Sequence, residues 1–108
     1  MRANKHKDTI QIEYGTNKEY FAVRIANDDM KNAHFQRGAL VVVKKQTFAV
    51  DGDIVLVLHN GKICFRYYKE QGGEICLISA NNDILPVLVR ETDDFAILGK
   101  AKEIRYEV

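Results

Sequence analysis

The side chains that most often carry chemistry are few in this chain, and their spacing matches no common catalytic or metal site. The one serine, Ser79, lies in an apolar stretch typical of a strand, which indicates a structural role. Cys64 and Cys76 also lie in strand patterns, where a thiol behaves as a small hydrophobe. The histidines, which are His6, His34 and His59, lack the spacing of metal ligands. We therefore expect no disulfide framework, no metal site and no cofactor.

Positive and negative charges are nearly balanced along the chain. The net charge is +1 at pH 7, from 16 basic and 15 acidic residues. The only basic cluster contains Arg2, Lys5, His6 and Lys7, and we interpret it as part of a terminal tail. A domain that binds DNA by itself usually concentrates basic side chains on one surface. Any DNA-binding part is therefore expected to lie elsewhere.

The length of 108 residues suits one hydrophobic core. No segment is long and apolar enough to cross a bilayer, and the first residues lack the pattern of a signal peptide. We expect a cytoplasmic protein without a membrane partner. Residues 1–18 are predicted to be a tail or linker remnant, and residues 19–108 a single domain.

The elements that must position these side chains are predicted to be β-strands. Apolar clusters recur at short intervals with turn residues between them, which is typical of a β-sandwich or barrel. Asn60-Gly61 favours a tight hairpin, and Gln71-Gly72-Gly73 marks a second one. The predicted strands cover 20–25, 39–45, 54–58, 62–69, 74–79, 87–90, 95–98 and 101–106, and one short helix covers 27–34.

For the second hairpin we predict a register that places Phe65 opposite Ile78 and Tyr67 opposite Cys76. With Ile63, these residues would form one apolar face. Cys64 and Cys76 are not partners in this register, so we expect no disulfide between them.

A series of stretches occurs in an order that is typical of one family. The stretches are Phe21-Ala22-Val23-Arg24-Ile25, Asp28-Asp29-Met30-Lys31, Arg37-Gly38-Ala39-Leu40, Asp51-Gly52-Asp53-Ile54-Val55, Ile63-Cys64-Phe65-Arg66, Leu77-Ile78-Ser79-Ala80-Asn81, Ile84-Leu85-Pro86-Val87 and Phe95-Ala96-Ile97-Leu98-Gly99. Residues 20–106 thereby resemble the C-terminal, self-cleaving and dimerising domain of LexA, the lambdoid phage repressors and UmuD. The resemblance implies a mainly β fold, a signal-peptidase-like barrel or sandwich with one short helix, over residues 19–108.

In that family, a serine activated by a lysine cleaves the protein's own backbone. The resemblance places the serine position on Asp29 and the lysine position on Arg66. A guanidinium stays protonated and cannot act as the base. We therefore interpret the chain as a non-enzyme, a degenerate relative of the Ser/Lys self-cleaving peptidases. We also predict a charge-assisted hydrogen bond between Asp29 and Arg66. The alternative is that Asp29 only favours the helix N-terminus while Arg66 points to solvent.

The resemblance implies a regulatory and dimerisation domain of a prophage- or mobile-element-type transcriptional repressor, linked to phage control or the SOS response. Its main partner would be a second copy, bound through the closing strand. The interface residues predicted there are Ala101, Lys102, Glu103, Ile104, Arg105 and Tyr106. The alternative for this strand is an ordinary charged edge protected against pairing. DNA would be reached only through an N-terminal helix-turn-helix domain absent from this chain, and an antirepressor would be a further partner.

Two other classes of function remain open. One is an active enzyme of the serine peptidase fold with a rearranged site. The other is a small β-barrel that binds nucleic acid directly, for which Arg66, Tyr67, Tyr68 and Lys69 supply neighbouring basic and aromatic side chains. That reading requires Tyr67 to be exposed, whereas the strand pattern directs it to the core.

Overall fold

A computed structural model describes residues 19–106 and, by backbone alone, residues 11–14. Within these residues eight strands form one antiparallel sheet in the order β1-β2-β3-β8-β4-β5-β6-β7. The strands are β1 Gln11–Tyr14, β2 Tyr20–Arg24, β3 Leu40–Lys45, β4 Ile54–His59, β5 Lys62–Gln71, β6 Glu74–Ile78, β7 Val87–Leu88 and β8 Phe95–Arg105. The predicted mainly β class is therefore confirmed.

The one helical segment is shorter than the predicted 27–34. It is a 3₁₀ turn, Lys31–Ala33, which ends where His34 adopts a left-handed conformation with φ of 68°. The backbone N–H of Asn32 donates to the carbonyl of Ala80, 2.8 Å away, rather than to its own helix. Because a tertiary contact takes this donor, a regular α-helix does not form here.

β1 falls inside residues 1–18, for which the sequence predicts a tail or linker. Its backbone pairs antiparallel with β2. Residues 1–10 and 15–18, including the basic cluster at Arg2, Lys5, His6 and Lys7, lie outside the described residues. The boundary between tail and domain stays a prediction.

Both predicted hairpins form, but the register of the second differs from the prediction. Ile78 lies opposite Tyr67 rather than Phe65, and Cys76 lies opposite Lys69. The reason is the turn, which uses only Gly72 and Gly73, both with positive φ (60° and 83°). A shift of two residues keeps every side chain on its predicted face. Phe65 and Tyr67 do belong to an apolar cluster, whereas Ile63 is exposed.

The two cysteines are free thiols on opposite faces of the sheet. Cys76 pairs with Lys69, so these two side chains share a face. Cys64 lies five residues before Lys69 on β5, and successive side chains on a strand alternate between faces. The thiols of Cys64 and Cys76 therefore point to different sides.

Two apolar clusters hold the sheet, and β5 contributes to both. The larger includes the fully buried Val23 and Val41 together with Phe65 of β5. The smaller is formed around Val55, and it includes Tyr68 of β5. Since Phe65 and Tyr68 project to opposite sides of β5, the clusters cover opposite faces of the sheet.

β8 is one continuous strand, although the sequence predicted two strands at 95–98 and 101–106. Its first part, Phe95 to Lys100, pairs with β4, and its second part, Gly99 to Arg105, pairs with β3. Pairing with β4 ends at Lys100. In the part of the chain that the structure describes, residues 101–105 therefore have a strand on one edge only.

The loop before β8 is tied to the β4–β5 hairpin by polar contacts. Nε2 of His59 lies 2.9 Å from Oδ2 of Asp93, and the backbone N–H of Asp94 donates to Oδ1 of Asn60 at 3.0 Å. Hydrogen bonds from the backbone N–H of Arg90, then from His59 and Asn60, lower the pKa of Asp93 to about 2. These contacts fix the point at which β8 begins.

Candidate functional site

An ion pair between Asp29 and Arg66 joins the loop after β2 to the middle of β5. Nη1 of Arg66 donates to Oδ2 of Asp29 over 3.2 Å. The side chains of Arg66 and Asp29 are 16% and 28% exposed, so water screens the pair only in part. The predicted hydrogen bond is present, and the alternative in which Arg66 points to solvent does not hold. Their assignment to the serine and lysine positions of the family stays a prediction.

Asp29 is positioned by a network of backbone contacts. Its own N–H donates to Oδ1 of Asn27, and Nδ2 of Asn81 donates to the carbonyl of Asp28 at 2.9 Å. Asn81 is buried, so its side chain is held in place as a tie between this loop and the segment after β6. The loop is therefore fixed by β6 as well as by Arg66.

Apolar contacts also hold the same loop against the segment after β6 and against β5. Met30 is buried, and the N–H of Ala80 lies 3.1 Å from its Sδ. Phe35 packs edge-on against Phe65, with ring centroids 5.2 Å apart and planes at 76°. An edge-to-face pair of this kind stabilises by about 0.5–1.5 kcal/mol beyond its buried area. Asp29 thus approaches Arg66 on a rigid support.

The guanidinium of Arg66 uses one nitrogen for both of its contacts. Besides Asp29, Nη1 donates to the carbonyl of Phe65 at 2.7 Å. Among the residues that the structure describes, Nε and Nη2 have no hydrogen-bond partner. The pair therefore leaves one edge of the guanidinium unused.

The energy of this ion pair can be measured by a double-mutant cycle with Asp29→Ala and Arg66→Met. Removing one partner of a fully buried pair costs about 3–5 kcal/mol, and partial exposure here reduces the expected loss to about 1–3 kcal/mol for each single variant. We expect a coupling of about 1 kcal/mol from urea unfolding of the four proteins.

The matched control is the pair of Arg105 with Glu103, whose side chains are 60% and 53% exposed. At protein concentrations low enough for the chain to be monomeric, so that the proposed β8 interface does not contribute, Arg105→Met is expected to change stability by less than about 0.5 kcal/mol. A coupling at Asp29 and Arg66 no larger than at this exposed pair would contradict a stabilising role.

Ser79 lies just beyond the end of the β5–β6 ladder. It directly follows Ile78, whose ladder partner is Tyr67, and Arg66 directly precedes Tyr67. Its Oγ is the one fully buried side-chain nitrogen or oxygen without a partner in the described part of the chain.

The predicted dimer residues lie on the second half of β8 and just beyond it. Residues 101–105 belong to the strand, and the hydroxyl of Tyr106 donates to the carbonyl of His34. Beside the strand runs an open groove lined by Phe35, Asp53, Ile54 and Ile104, among others. The structure thus brings these residues together along one open strand edge.

Asp53 lines this groove and forms an ion pair with Lys100, which also lines it. Its Oδ1 lies 3.0 Å from Nζ of Lys100. Burial raises the pKa of Asp53, but the N–H of Val50 and the charge of Lys100 outweigh this effect, and the pKa is lowered. The carboxylate is therefore charged at neutral pH and holds the start of β4 against β8.

The aromatic side chains proposed for nucleic-acid binding are engaged in the fold. Tyr67 packs against the larger apolar cluster, and Tyr68 is buried in the smaller one with its hydroxyl bonded to Glu70. Burial and Glu70 raise the pKa of Tyr68. Base stacking needs an exposed ring, so these residues give no support to that alternative.

The described residues contain neither a metal-binding cluster nor a membrane-spanning helix. No group of three or more histidine, cysteine, aspartate or glutamate side chains in this part of the chain could hold a metal ion. No helix in it is long and apolar enough to cross a membrane.

Comparison with known proteins gives consistent matches. The profile of a family described as Peptidase S24-like matches residues 2–102. A LexA repressor of Petrotoga mobilis is 35% identical over 86 residues, which is 78% of this chain and 42% of that protein. A LexA repressor of Carboxydothermus hydrogenoformans is 40% identical over 77% of this chain and 41% of its own length. A LexA repressor of Desulfatibacillum aliphaticivorans is 32% identical over 85% of this chain and 47% of its own length.

The chain thus spans less than half the length of these LexA repressors. The comparisons also correct one interpretation. The sequence predicts a non-enzyme, a degenerate relative of self-cleaving peptidases, because the resemblance places Asp29 at the serine position and Arg66 at the lysine position. That interpretation is wrong, because the matched family is described as peptidase-like and the match runs through both positions. Nothing in the described residues establishes that the chain is degenerate.

The order of stretches noted in the sequence, the single antiparallel sheet and the matches to LexA repressors agree with one another. The chain belongs to the Peptidase S24-like family, the family of the LexA and UmuD C-terminal domains.

Proposed function

We propose that this chain is the regulatory and dimerisation domain of a LexA-like transcriptional repressor and that it dimerises through the second half of β8. Membership of the family supports the regulatory role. The dimer surface is chosen because residues 101–105 have an open strand edge. Among the described residues they pair with β3 on one side and with no strand on the other.

An open strand edge presents unpaired N–H and C=O groups that a second strand can satisfy. In a symmetric dimer, two copies of β8 would pair antiparallel about a two-fold axis. An axis between Lys102 and Glu103 places Lys102 of each copy opposite Glu103 of the other and Ala101 opposite Ile104. Lys102 and Glu103 are both exposed. This register is favourable because opposite charges face each other across the strands.

Charge reversal tests this register. We expect sedimentation equilibrium of the unaltered chain to give a concentration-dependent dimer. Lys102→Glu or Glu103→Lys alone replaces two attractive pairs by two repulsive ones, which should weaken the dimer about tenfold. The double variant restores opposite charges and should recover most of the affinity.

The matched control is Lys69→Glu, an exposed position on β5 away from the open edge, and it should leave association unchanged. A chain that stays monomeric at high concentration would contradict dimerisation itself. A dimer that tolerates both single reversals would move the interface away from β8.

The finer parts of the proposal come from the resemblance. We propose a repressor of the prophage or mobile-element type that acts in the cytoplasm and reaches DNA through a separate N-terminal helix-turn-helix domain. An antirepressor protein would release it. The near-balanced charge of this chain supports a separate DNA-binding part, because a surface that contacts many phosphates is strongly basic.

Peptidase activity is a second candidate, favoured by the description of the matched family. Prolonged incubation of the purified chain at alkaline pH, followed by measurement of its intact mass, tests it. Defined fragments that form at a rate independent of protein concentration would support self-cleavage, and an unchanged mass would count against it.

A further inference from the structure

We propose that a groove beside the smaller apolar cluster binds a basic segment of another protein, with an apolar side chain in the groove and a lysine or arginine at Glu70. We call it the Phe48 groove, and its lining includes Phe48, Tyr68, Glu70, Ile75, Phe95 and Ile97. The inference goes beyond dimerisation and does not depend on it, because the groove uses the first part of β8 and the proposed dimer surface uses residues 101–105.

The walls of the Phe48 groove are apolar and incompletely buried. Ile75, Phe95 and Ile97 pack against the smaller apolar cluster and are only partly buried there. Phe48 and Val50, on the loop between β3 and β4, are exposed large apolar side chains. The groove has a volume of about 460 Å³, within the range of about 300–1,000 Å³ for ligand sites. An apolar side chain bound here would remove this surface from water, which is favourable.

The loop that carries Phe48 is held by hydrogen bonds. Nε2 of Gln46 donates to the carbonyl of Phe48 at 2.9 Å, and the N–H of Val50 donates to Oδ2 of Asp53 at 3.1 Å. The N–H of Asp53 donates back to the carbonyl of Val50 at 3.1 Å. A surface that is already ordered loses less conformational entropy when it binds. This wall of the groove is therefore preorganised for a partner.

The Phe48 groove carries negative charge. Among the described residues that line it, only Glu70 is charged. Glu70 accepts a hydrogen bond from the hydroxyl of Tyr68 at 3.1 Å, and its N–H donates to Oδ1 of Asp51 at 2.7 Å, which brings a second carboxylate close. No ion pair of the described residues involves Glu70 or Asp51. Burial raises the pKa of Tyr68, and so do its bond to Glu70 and the charges of Glu70 and Asp51.

These features fit a basic peptide segment better than other partners. Carboxylates repel phosphate groups, which argues against nucleic acid and against an anionic lipid surface. An open groove does not surround a small molecule, whereas ligand pockets bury about 70–90% of one. A lysine or arginine beside Glu70 would neutralise its charge, and a cation is also attracted to the face of an aromatic ring such as that of Phe48.

The test is a titration of the full chain with three dipeptides capped at both ends, followed by backbone ¹⁵N–¹H NMR signals. Phenylalanyl-lysine carries the ring and the cation, alanyl-lysine lacks the ring, and phenylalanyl-glutamate reverses the charge. We expect saturable shifts at Phe48, Glu70 and Ile97 with the first dipeptide and at least about fivefold weaker binding of the other two. Ile104, which packs against the larger apolar cluster, should not respond. No saturable shift in the groove, or equal affinity for the glutamate dipeptide, would overturn the proposal.

Two variants place the dipeptide in the groove. Glu70→Gln keeps an acceptor for the Tyr68 hydroxyl but removes the charge, and Phe48→Ala removes the exposed ring. Each should weaken binding of phenylalanyl-lysine about fivefold, which corresponds to about 1 kcal/mol. The matched control is Glu74→Gln on the same hairpin. Glu74 pairs with Gln71, next to the pair of Glu70 with Ile75, so its side chain points to the opposite face and its loss should not change the affinity.

The outcomes separate this proposal from dimerisation. Lys102→Glu should leave dipeptide binding unchanged even where it weakens the dimer. Unchanged affinity in both Glu70→Gln and Phe48→Ala would overturn the Phe48 groove as the binding site. Shifts at Phe48 and Ile97 on dilution of the chain alone would assign the groove to a second copy and would overturn the proposed basic partner.

Discussion

Phe35→Ala is expected to destabilise the domain by about 3–5 kcal/mol, the range for removing a fully buried phenylalanine ring. Phe35 is 1% exposed and is among the largest fully buried side chains of the described residues. It follows the 3₁₀ turn and packs edge-on against Phe65, the neighbour of Arg66 on β5. Its loss would leave a cavity between the loop that carries Asp29 and the strand that carries Arg66. Urea unfolding, followed by circular dichroism, measures the effect.

The matched control is Phe48→Ala, which removes the same ring from a position that is 66% exposed. That variant should change the unfolding free energy by less than about 0.5 kcal/mol. If Phe35→Ala cost no more than Phe48→Ala, the ring of Phe35 would not be part of the core. We also expect the NMR chemical shift of the Arg66 Nε–Hε group to change in Phe35→Ala, because the loop that positions Asp29 loses its support.

The strands and the central contact of the site were accessible from the sequence. Runs of β-branched residues separated by glycine turns predicted the sheet, because each strand has one or both faces buried. The contact of Asp29 with Arg66 was predicted from the resemblance alone, since no local pattern links residues that are 37 positions apart. A contact between residues so far apart in the sequence can be predicted only from a known structure or from resemblance to a family.

Features set by competition between local and tertiary contacts were not accessible. The segment 27–34 has good helix-capping residues, yet Asn32 donates to Ala80 and the helix shortens to one turn. The hairpin register depended on whether a two-residue turn would use Gln71-Gly72 or Gly72-Gly73. Both turns direct each side chain to the same face of the sheet, so the hydrophobic pattern could not decide between them.

Gly99 shows why β8 was predicted as two strands. A glycine within a strand pattern commonly marks a break or a close backbone approach. The first meaning predicts a strand that ends at residue 98. The structure has the second, because Gly99 pairs with Leu56 of β4 on one side and with Lys45 of β3 on the other. β8 therefore continues through Gly99, where it pairs with both β3 and β4.

Gly99→Ala is therefore expected to cost about 3 kcal/mol, at the upper end of the range for overpacking a well-packed core. A Cβ at this position would lie 2.5 Å from the carbonyl oxygen of Lys44 and 2.5 Å from Cγ1 of Val43. The first contact is with backbone inside the sheet, which cannot move without breaking the pairing of β3 and β8. Thermal and urea unfolding of the purified variant measure the loss.

Gly61→Ala separates this steric cost from the general cost of replacing a glycine. Gly61 has nothing within 4 Å of an added Cβ, but its φ of +86° is strained for an L-residue. That backbone strain should cost about 1–2 kcal/mol, less than the collision at Gly99. Equal losses at the two positions would contradict the close approach of β3 to β8. A larger loss at Gly99, with weaker dimerisation in the same variant, would indicate that the crossing at Gly99 sets the position of the open edge at 101–105.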